Sequence, residues 1–171
     1  TVTATSGAAG GCAGSIAYSL TVATPPAPVT DLAATRVTAG NGPGGIARIR
    51  ITFTTTPGAA AAEVYRAPFG GYPRYDEAGG LTPPTPSYPP GAPWTLTPVT
   101  TSGQTDLPPA RDVWSYVVFV KNTFGHGSAA SNKTVGVPDY ALGDVSNGAT
   151  PGAGDNIVNV ADLSLLGAHY G

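Results

Sequence analysis

Glycine and proline interrupt this sequence so often that long helices are excluded. The chain has 24 glycines and 18 prolines among its 171 residues, and both residue types destabilise helix interiors. Between them lie short segments in which apolar and polar residues alternate, which is the pattern of half-buried β-strands. Hydrophobic residues make up 41% of the chain, and that is enough to build a core. We therefore expect an all-β fold.

About seven short strands with turn residues between them predict a β-sandwich. The clearest alternation lies in residues 46–55, where Ile49, Ile51 and Phe53 share one face. The strongest strand is residues 112–122, whose two faces are both partly apolar, so it is either central or covered by something outside the sandwich. The other predicted strands are residues 1–6, 16–23, 29–38, 61–69, 94–101 and 131–137.

The middle of the chain resembles a fibronectin type III domain. The resemblance rests on the proline-led start at Pro25 and Pro26, on Phe53 as a core aromatic residue, and on the run from Trp114 to Gly125. It covers roughly residues 25–138 and implies a fibronectin type III or immunoglobulin-like sandwich, with a Pro-rich insertion at residues 70–110.

Residues 1–24 predict a β-hairpin that turns at the Gly-rich stretch 7–14 and resembles the last hairpin of a bacterial immunoglobulin-like repeat. The apolar residues of its second strand share one face: Ile16, Tyr18, Leu20 and Val22. This hairpin has no obvious sheet of its own in the chain. It either finishes an upstream domain or adds to the sheet of a neighbouring copy. Head-to-tail addition that does not close builds a filament, so copies of the chain itself are the predicted partner.

Residues 139–171 carry four aspartates and no lysine or arginine. Such a cluster is unfavourable unless it is solvated or bridged by a cation. Residues 155–162 match positions 5 to 12 of an EF-hand-type calcium loop, residues 143–146 supply positions 1 and 3, and an insertion within 147–154 must bulge out. The candidate oxygen ligands are Asp144, Ser146, Asp155, the Ile157 carbonyl, Asn159 and Asp162. A helix is predicted over 162–170, and a solvated acidic linker is the alternative interpretation of this segment.

Residues 142–166 resemble one half of a type I dockerin, a calcium-binding anchoring unit. The resemblance implies calcium bound through the same six residues, an extracellular bacterial assembly, and a scaffold protein as partner. A dockerin has two such repeats, and this chain has one. Val160 and Ala161 occupy the partner-recognition positions, which are usually hydroxylic.

Several function classes are excluded or disfavoured by composition. The net charge is −2 and Lys121 and Lys133 are the only lysines, so there is no basic face for nucleic acid. The sequence has no run of 18 apolar residues, which is about the length that a membrane-spanning helix needs. Cys12 is the single cysteine and cannot form an internal disulfide. The chain has two histidines and shows neither a nucleophile elbow nor a phosphate-binding loop, so we expect no enzymatic activity.

Aromatic residues concentrate in and beside the Pro-rich segment: Phe69, Tyr72, Tyr75, Tyr88 and Trp94. They either stack on glycans or pack the segment onto the sandwich. The sequence as a whole predicts a non-enzymatic structural module, extracellular or at a bacterial cell surface, that self-assembles and is stabilised by calcium. The alternatives are an anchoring region of a secreted multidomain protein and a carbohydrate-binding module.

Overall fold

The computed structural model describes residues 2–4, 16–18, 23–38, 42–72, 81–150 and 152–170. The strands are β1 (Val2–Ala4), β2 (Ile16–Tyr18), β3 (Ala33–Val37), β4 (Arg48–Thr52), β5 (Ala61–Pro68), β6 (Thr95–Leu96), β7 (Thr105–Asp106), β8 (Val113–Lys121) and β9 (Val137–Pro138). A 3-10 turn (Pro43–Gly45) precedes β4, and the helix α1 (Val160–Tyr170) follows β9. No helix among these residues has the length and hydropathy for a membrane crossing.

Two antiparallel sheets form the body of the molecule. One has the strand order β3-β4-β7 and the other β6-β5-β8-β9. The longest pairing joins β5 to β8, from Ala61 opposite Lys121 to Pro68 opposite Trp114. Together with a single short helix at the C-terminal end of the described chain, these sheets confirm the predicted all-β sandwich.

The main core lies between the inner faces of the two sheets. Ile49 and Ile51 of β4 pack in one cluster with Tyr116 and Val118 of β8, and all four side chains are fully buried. Arg50 lies between the two isoleucines and is exposed. The alternation that predicted this strand is thus the alternation between core and solvent.

A second apolar cluster covers the other face of β8. Val117 and Phe119 are fully buried there and pack with Trp94 and Tyr88. The Trp94 indole N–H donates to the carbonyl oxygen of Pro84 at 3.0 Å, which ties the Pro-rich segment to itself over the sheet. The sequence predicted that the strand over 112–122, now β8, is either central or covered. It is both, because β5 and β9 flank it and residues of the Pro-rich segment cover its outer face.

The closing strand predicted over 131–137 is a regular strand only at Val137 and Pro138. Before it, residues 128–134 run along β8 through a ladder of side-chain hydroxyls. Ser128, Ser131 and Thr134 each donate a backbone N–H to a β8 carbonyl, and each hydroxyl oxygen accepts a β8 backbone N–H. The bonded residues are spaced by three in this segment and by two in β8. Each repeat therefore has one additional residue on the edge segment, as in a β-bulge.

Two strands lie within the segment assigned from the sequence to the Pro-rich insertion. The strand predicted over 94–101 is regular only at Thr95–Leu96, which is β6. The second strand, β7, pairs Asp106 with Ile49 and Thr105 with Arg50 of β4. Val99, between the two strands, is fully buried in the main core, so the second half of this segment belongs to the sandwich.

The hairpin β1–β2 forms a two-stranded sheet of its own. Val2 pairs with Tyr18, and Ala4 pairs with Ile16. Within the described part of the chain, these strands join neither sheet of the sandwich. The predicted turn at 7–14 lies outside the described residues.

Candidate cation-binding loop

Asp144 joins the two halves of the predicted calcium loop. Its Oδ1 accepts the backbone N–H of Asp155 at 2.9 Å, and its Oδ2 accepts that of Asn156 at 2.7 Å. Asn156 has a φ of 66°, so it occupies the left-handed region at position 6 of the loop, where asparagine stands in place of the usual glycine. The Asp144 side chain is fully buried, and it closes the loop across the inserted residues.

Asp162 closes the loop from its other end. Its Oδ1 accepts the backbone N–H groups of Val145 at 2.7 Å and Ser146 at 2.9 Å, and its Oδ2 accepts that of Asn159 at 2.8 Å. These backbone donors, with that of Asn159 first, lower the pKa of the Asp162 carboxyl below its ordinary value because they stabilise the charged form.

The helix that follows the loop begins with a side-chain cap. Asn159 Oδ1 accepts the backbone N–H of Ala161 at 2.7 Å, which satisfies one of the unpaired donors at a helix N-terminus. Asp162 lies in the first turn of α1, where a negative charge is favourable. The helix begins at Val160, two residues before the predicted start, because Asn159 provides the cap.

The described residues of the insertion, 147–150 and 152–154, make hydrogen bonds of their own. Asn147 Oδ1 accepts the backbone N–H groups of Ala149 and Thr150. The backbone N–H of Gly152 donates to the carbonyl oxygen of Val145 at 2.8 Å. These bonds close the insertion locally, so that the two halves of the loop stay together.

Arg111 supplies a positive charge to this loop from the sandwich. Its Nη2 donates to Asp144 Oδ2 at 2.5 Å and its Nη1 to the Asp144 carbonyl oxygen at 2.8 Å. Its Nε donates to the carbonyl oxygen of Gly44 at 3.0 Å, and its guanidinium carbon lies 5.6 Å from the centroid of the Tyr140 ring. Nothing in the sequence pattern points to this residue, because it precedes Asp144 by 33 positions.

Other predicted ligands of the loop accept hydrogen bonds from backbone N–H groups close to them in sequence. Asp155 Oδ1 accepts the backbone N–H of Ile157 at 2.9 Å, and Ser146 Oγ accepts that of Gly148 at 3.1 Å. In the described part of the chain, no three His, Cys, Asp or Glu side chains are grouped closely enough to hold a metal ion. The side-chain nitrogen and oxygen of Asn156 are buried without a hydrogen-bond partner.

The donor set itself fits a divalent cation. All six predicted ligands offer oxygen, which calcium prefers. The loop carries three carboxylates, those of Asp144, Asp155 and Asp162, and Arg111 offsets one of their charges. The remaining formal charge of about −2 matches that of a divalent ion. The residues therefore suit calcium chemically, with Asp144 shared between the loop and Arg111.

An apolar groove of about 240 Å³ lies beside the loop. Val145 and Val158 line it from the loop, and Leu163 and Leu166 from α1. All four side chains are more than 40% exposed, so the helix presents an apolar face that the rest of the described chain leaves uncovered.

The aromatic residues proposed as a glycan platform are largely occupied by packing. Trp94 is 7% exposed, and the Tyr88 ring centroid lies 5.3 Å from that of Phe119. The Tyr72 ring contacts Tyr140 edge-on at 5.1 Å. Tyr75 lies outside the described residues. These contacts favour the alternative in which the aromatic residues pack their segment onto the sandwich.

Comparisons of the chain with protein-family models, with curated proteins and with solved structures found no match. The fibronectin type III and dockerin resemblances therefore stay predictions from the sequence.

Proposed function

We propose that this chain is a non-enzymatic extracellular structural module that assembles with copies of itself by strand addition. The observation that supports the proposal is the separate hairpin β1–β2, which in the described chain pairs with neither sheet. A two-stranded sheet alone is marginally stable in water. Pairing with the edge of another copy's sheet would give the hairpin additional backbone hydrogen bonds.

The sandwich offers such an edge at β3. This strand pairs with β4 on one side and is the last strand of its sheet within the described residues. A groove of about 330 Å³ separates it from residues 132–137, and the Asn132 amide closes one end of the groove by bonding to the backbone N–H and C=O of Leu32. The hairpin of a second copy that added along β3 would extend the three-stranded sheet. Because donor and acceptor surfaces differ, repetition gives a filament unless the ring closes.

Sedimentation velocity and negative-stain electron microscopy of the full chain test assembly. We expect oligomers whose size grows with concentration. Replacing both Ile16 and Tyr18 by lysine should shift the population to monomers, because lysine on an edge strand opposes pairing. Leu81→Lys is the control, since Leu81 is 79% exposed and lies outside the hairpin. Monomers of the wild-type chain at all concentrations would refute assembly.

We further propose that the C-terminal loop binds one calcium ion. The supporting observation is that Asp144 accepts backbone N–H groups from the second half of the loop, while Asp162 accepts them from both halves. When bound, the ion would supply a charge bridge between the loop oxygens. Asp144, Ser146, Asp155, Asn159, Asp162 and the Ile157 carbonyl are the residues that would hold it.

Isothermal titration calorimetry tests this binding. Asp155→Asn should weaken calcium affinity at least tenfold, because it removes a charge but keeps the acceptor for the backbone N–H of Ile157. Asp31→Asn is the matched control, since Asp31 also accepts a single backbone N–H, that of Thr54, and lies far from the loop in sequence. No binding heat at millimolar calcium would refute the site.

Anchoring to a scaffold protein is the second candidate function. It is favoured by the exposed apolar residues of α1, namely Leu163, Leu166 and Tyr170. The sedimentation experiment separates the two candidates. A chain that remains monomeric while it binds calcium would favour anchoring over self-assembly.

A further inference from the structure

Gly45 and Gly154 leave room for the Arg111 side chain between the sandwich and the loop. A Cβ atom at Gly45 would overlap the Arg111 guanidinium and the backbone of Gly154. A Cβ atom at Gly154 would overlap both the guanidinium and the Asp144 carboxylate. Two glycines thus flank a buried ion pair, whose side chains are 8% exposed for Arg111 and 0% for Asp144.

We propose that Arg111 is a built-in cation that holds the Asp144 carboxylate, so that the loop is folded and docked on the sandwich before any metal ion binds. The Arg111 side chain donates to Asp144 twice and to Gly44 and Tyr72 once each. The same carboxylate accepts the N–H groups of Asp155 and Asn156. The Arg111 charge therefore holds the Asp144 carboxylate in place, and that carboxylate in turn positions the backbone of the second half of the loop.

Burial sets the energetic cost of losing Arg111. A buried carboxylate without a cation is costly, and removing one partner of a buried ion pair destabilises its surroundings strongly. Without Arg111, Asp144 would move toward solvent or take another cation. A divalent ion in the loop is that other cation, so this part of the inference rests on the proposed calcium site.

Hydrogen–deuterium exchange of the full chain tests the proposal. In chelator, we expect the N–H groups of Asp155 and Asn156 to be protected in the wild-type chain. In Arg111→Gln they should exchange at least tenfold faster, while the amides of β8 keep their protection and report an intact sandwich. Arg50→Gln is the control, because Arg50 is exposed on β4. Arg111→Lys keeps the charge without the paired donors and should fall between wild type and Arg111→Gln.

The outcomes separate this inference from the calcium proposal. Recovery of protection in Arg111→Gln upon adding calcium supports both. Loss of protection that calcium does not restore supports the role of Arg111 and counts against calcium binding. Equal protection of wild type and Arg111→Gln in chelator overturns the inference. A wild-type loop that is unprotected in chelator also overturns it, even if calcium orders the loop.

Discussion

One buried carboxylate joins the two sheets across the core. Asp106 of β7 is fully buried, and its Oδ1 accepts Arg66 Nη1 at 2.6 Å. Its Oδ2 accepts the hydroxyl of Tyr116 at 3.0 Å. Arg66 belongs to β5 and Tyr116 to β8, so the network spans both layers. Burial, together with the nearby Asp106 charge, raises the pKa of Tyr116, which therefore remains a donor at all ordinary pH values.

Replacing Asp106 should cost far more than replacing a member of a partly exposed ion pair. Asp106→Ala leaves Arg66 without its partner, and we expect a loss of about 3–5 kcal/mol in unfolding free energy. Tyr116→Phe removes one bond to a charged acceptor and should cost about 1.5–3 kcal/mol. Urea denaturation measures both.

The control for this prediction is Lys121→Gln. Lys121 bonds to Glu63 at 2.8 Å, and both side chains are 25% exposed, so the loss should be within about 1 kcal/mol. A loss for Asp106→Ala that is no larger than the loss for Lys121→Gln would contradict a structural role for the network.

Such residue-level pairs could not be predicted from the sequence. Arg66 and Asp106 are separated by 40 residues, and nothing in the pattern around either residue signals the other. Asp144 and Asp162, by contrast, lie in a motif whose spacing is local. That is why the loop was predicted, whereas its arginine partner was not.

At the scale of elements, the segment 128–134 replaces backbone acceptors with side chains. The three β8 N–H groups of Tyr116, Val118 and Val120 point to hydroxyl oxygens instead of carbonyls. Ser128, Ser131 and Thr134 are all buried, so water cannot take over these bonds.

Ser131→Ala should destabilise the chain by about 1–3 kcal/mol, because it leaves the buried N–H of Val118 without an acceptor. Thr134→Ser keeps its hydroxyl and should cost less than Thr134→Val, which removes it. Denaturant unfolding of the three variants gives the comparison. Equal losses for Thr134→Ser and Thr134→Val would show that the hydroxyl ladder contributes nothing measurable.

The strands that the sequence predicted well are those whose burial leaves a clear apolar pattern, which alternates in β4 and is continuous in β8. β4 contributes Ile49 and Ile51 to the main core and β8 contributes four residues, so each strand has an apolar pattern that is long enough to recognise. β7 consists of Thr105 and Asp106 and buries a carboxylate, so it leaves no apolar signal. The closing segment repeats every three residues rather than every two, and a search for strand alternation misplaces it for that reason.

At the scale of the whole molecule, Asp139 connects the sandwich to the C-terminal unit. Its carboxylate accepts the Asp112 backbone N–H at 2.9 Å and the Trp114 indole N–H at 3.0 Å. Its own carbonyl accepts the backbone N–H of Ala47 at 2.5 Å. Burial raises the pKa of the Asp139 carboxyl to about 6, against the opposing effect of the two donors.

Stability should therefore be greatest in weakly acidic solution. The folded state holds a proton on Asp139 more tightly than the unfolded state does, so this residue favours folding increasingly as the pH falls from above 6 toward 4. Asp162 acts in the opposite sense. Its pKa is lowered, and the stability it contributes is present above its unfolded pKa of about 4 and is lost as the pH falls through its folded value.

Urea unfolding between pH 3 and pH 8 should show a maximum between about 4 and 6. Trp114→Phe removes a donor to the charged form of Asp139 and should move the upper side of the maximum to higher pH. A stability that rises steadily up to pH 8 would contradict the protonation of Asp139.

The hydroxyl ladder also makes the segment 128–134 sensitive to insertions and deletions, because these change which residues lie opposite β8. Deleting a single residue such as Ala130 would carry Ser131 and Thr134 out of step with their β8 partners, although no hydroxyl is lost. Removing three consecutive residues would restore the phase for every hydroxyl that remains. Length variation in this segment should therefore be tolerated in steps of three, an unusual restriction for the edge of a β-sheet.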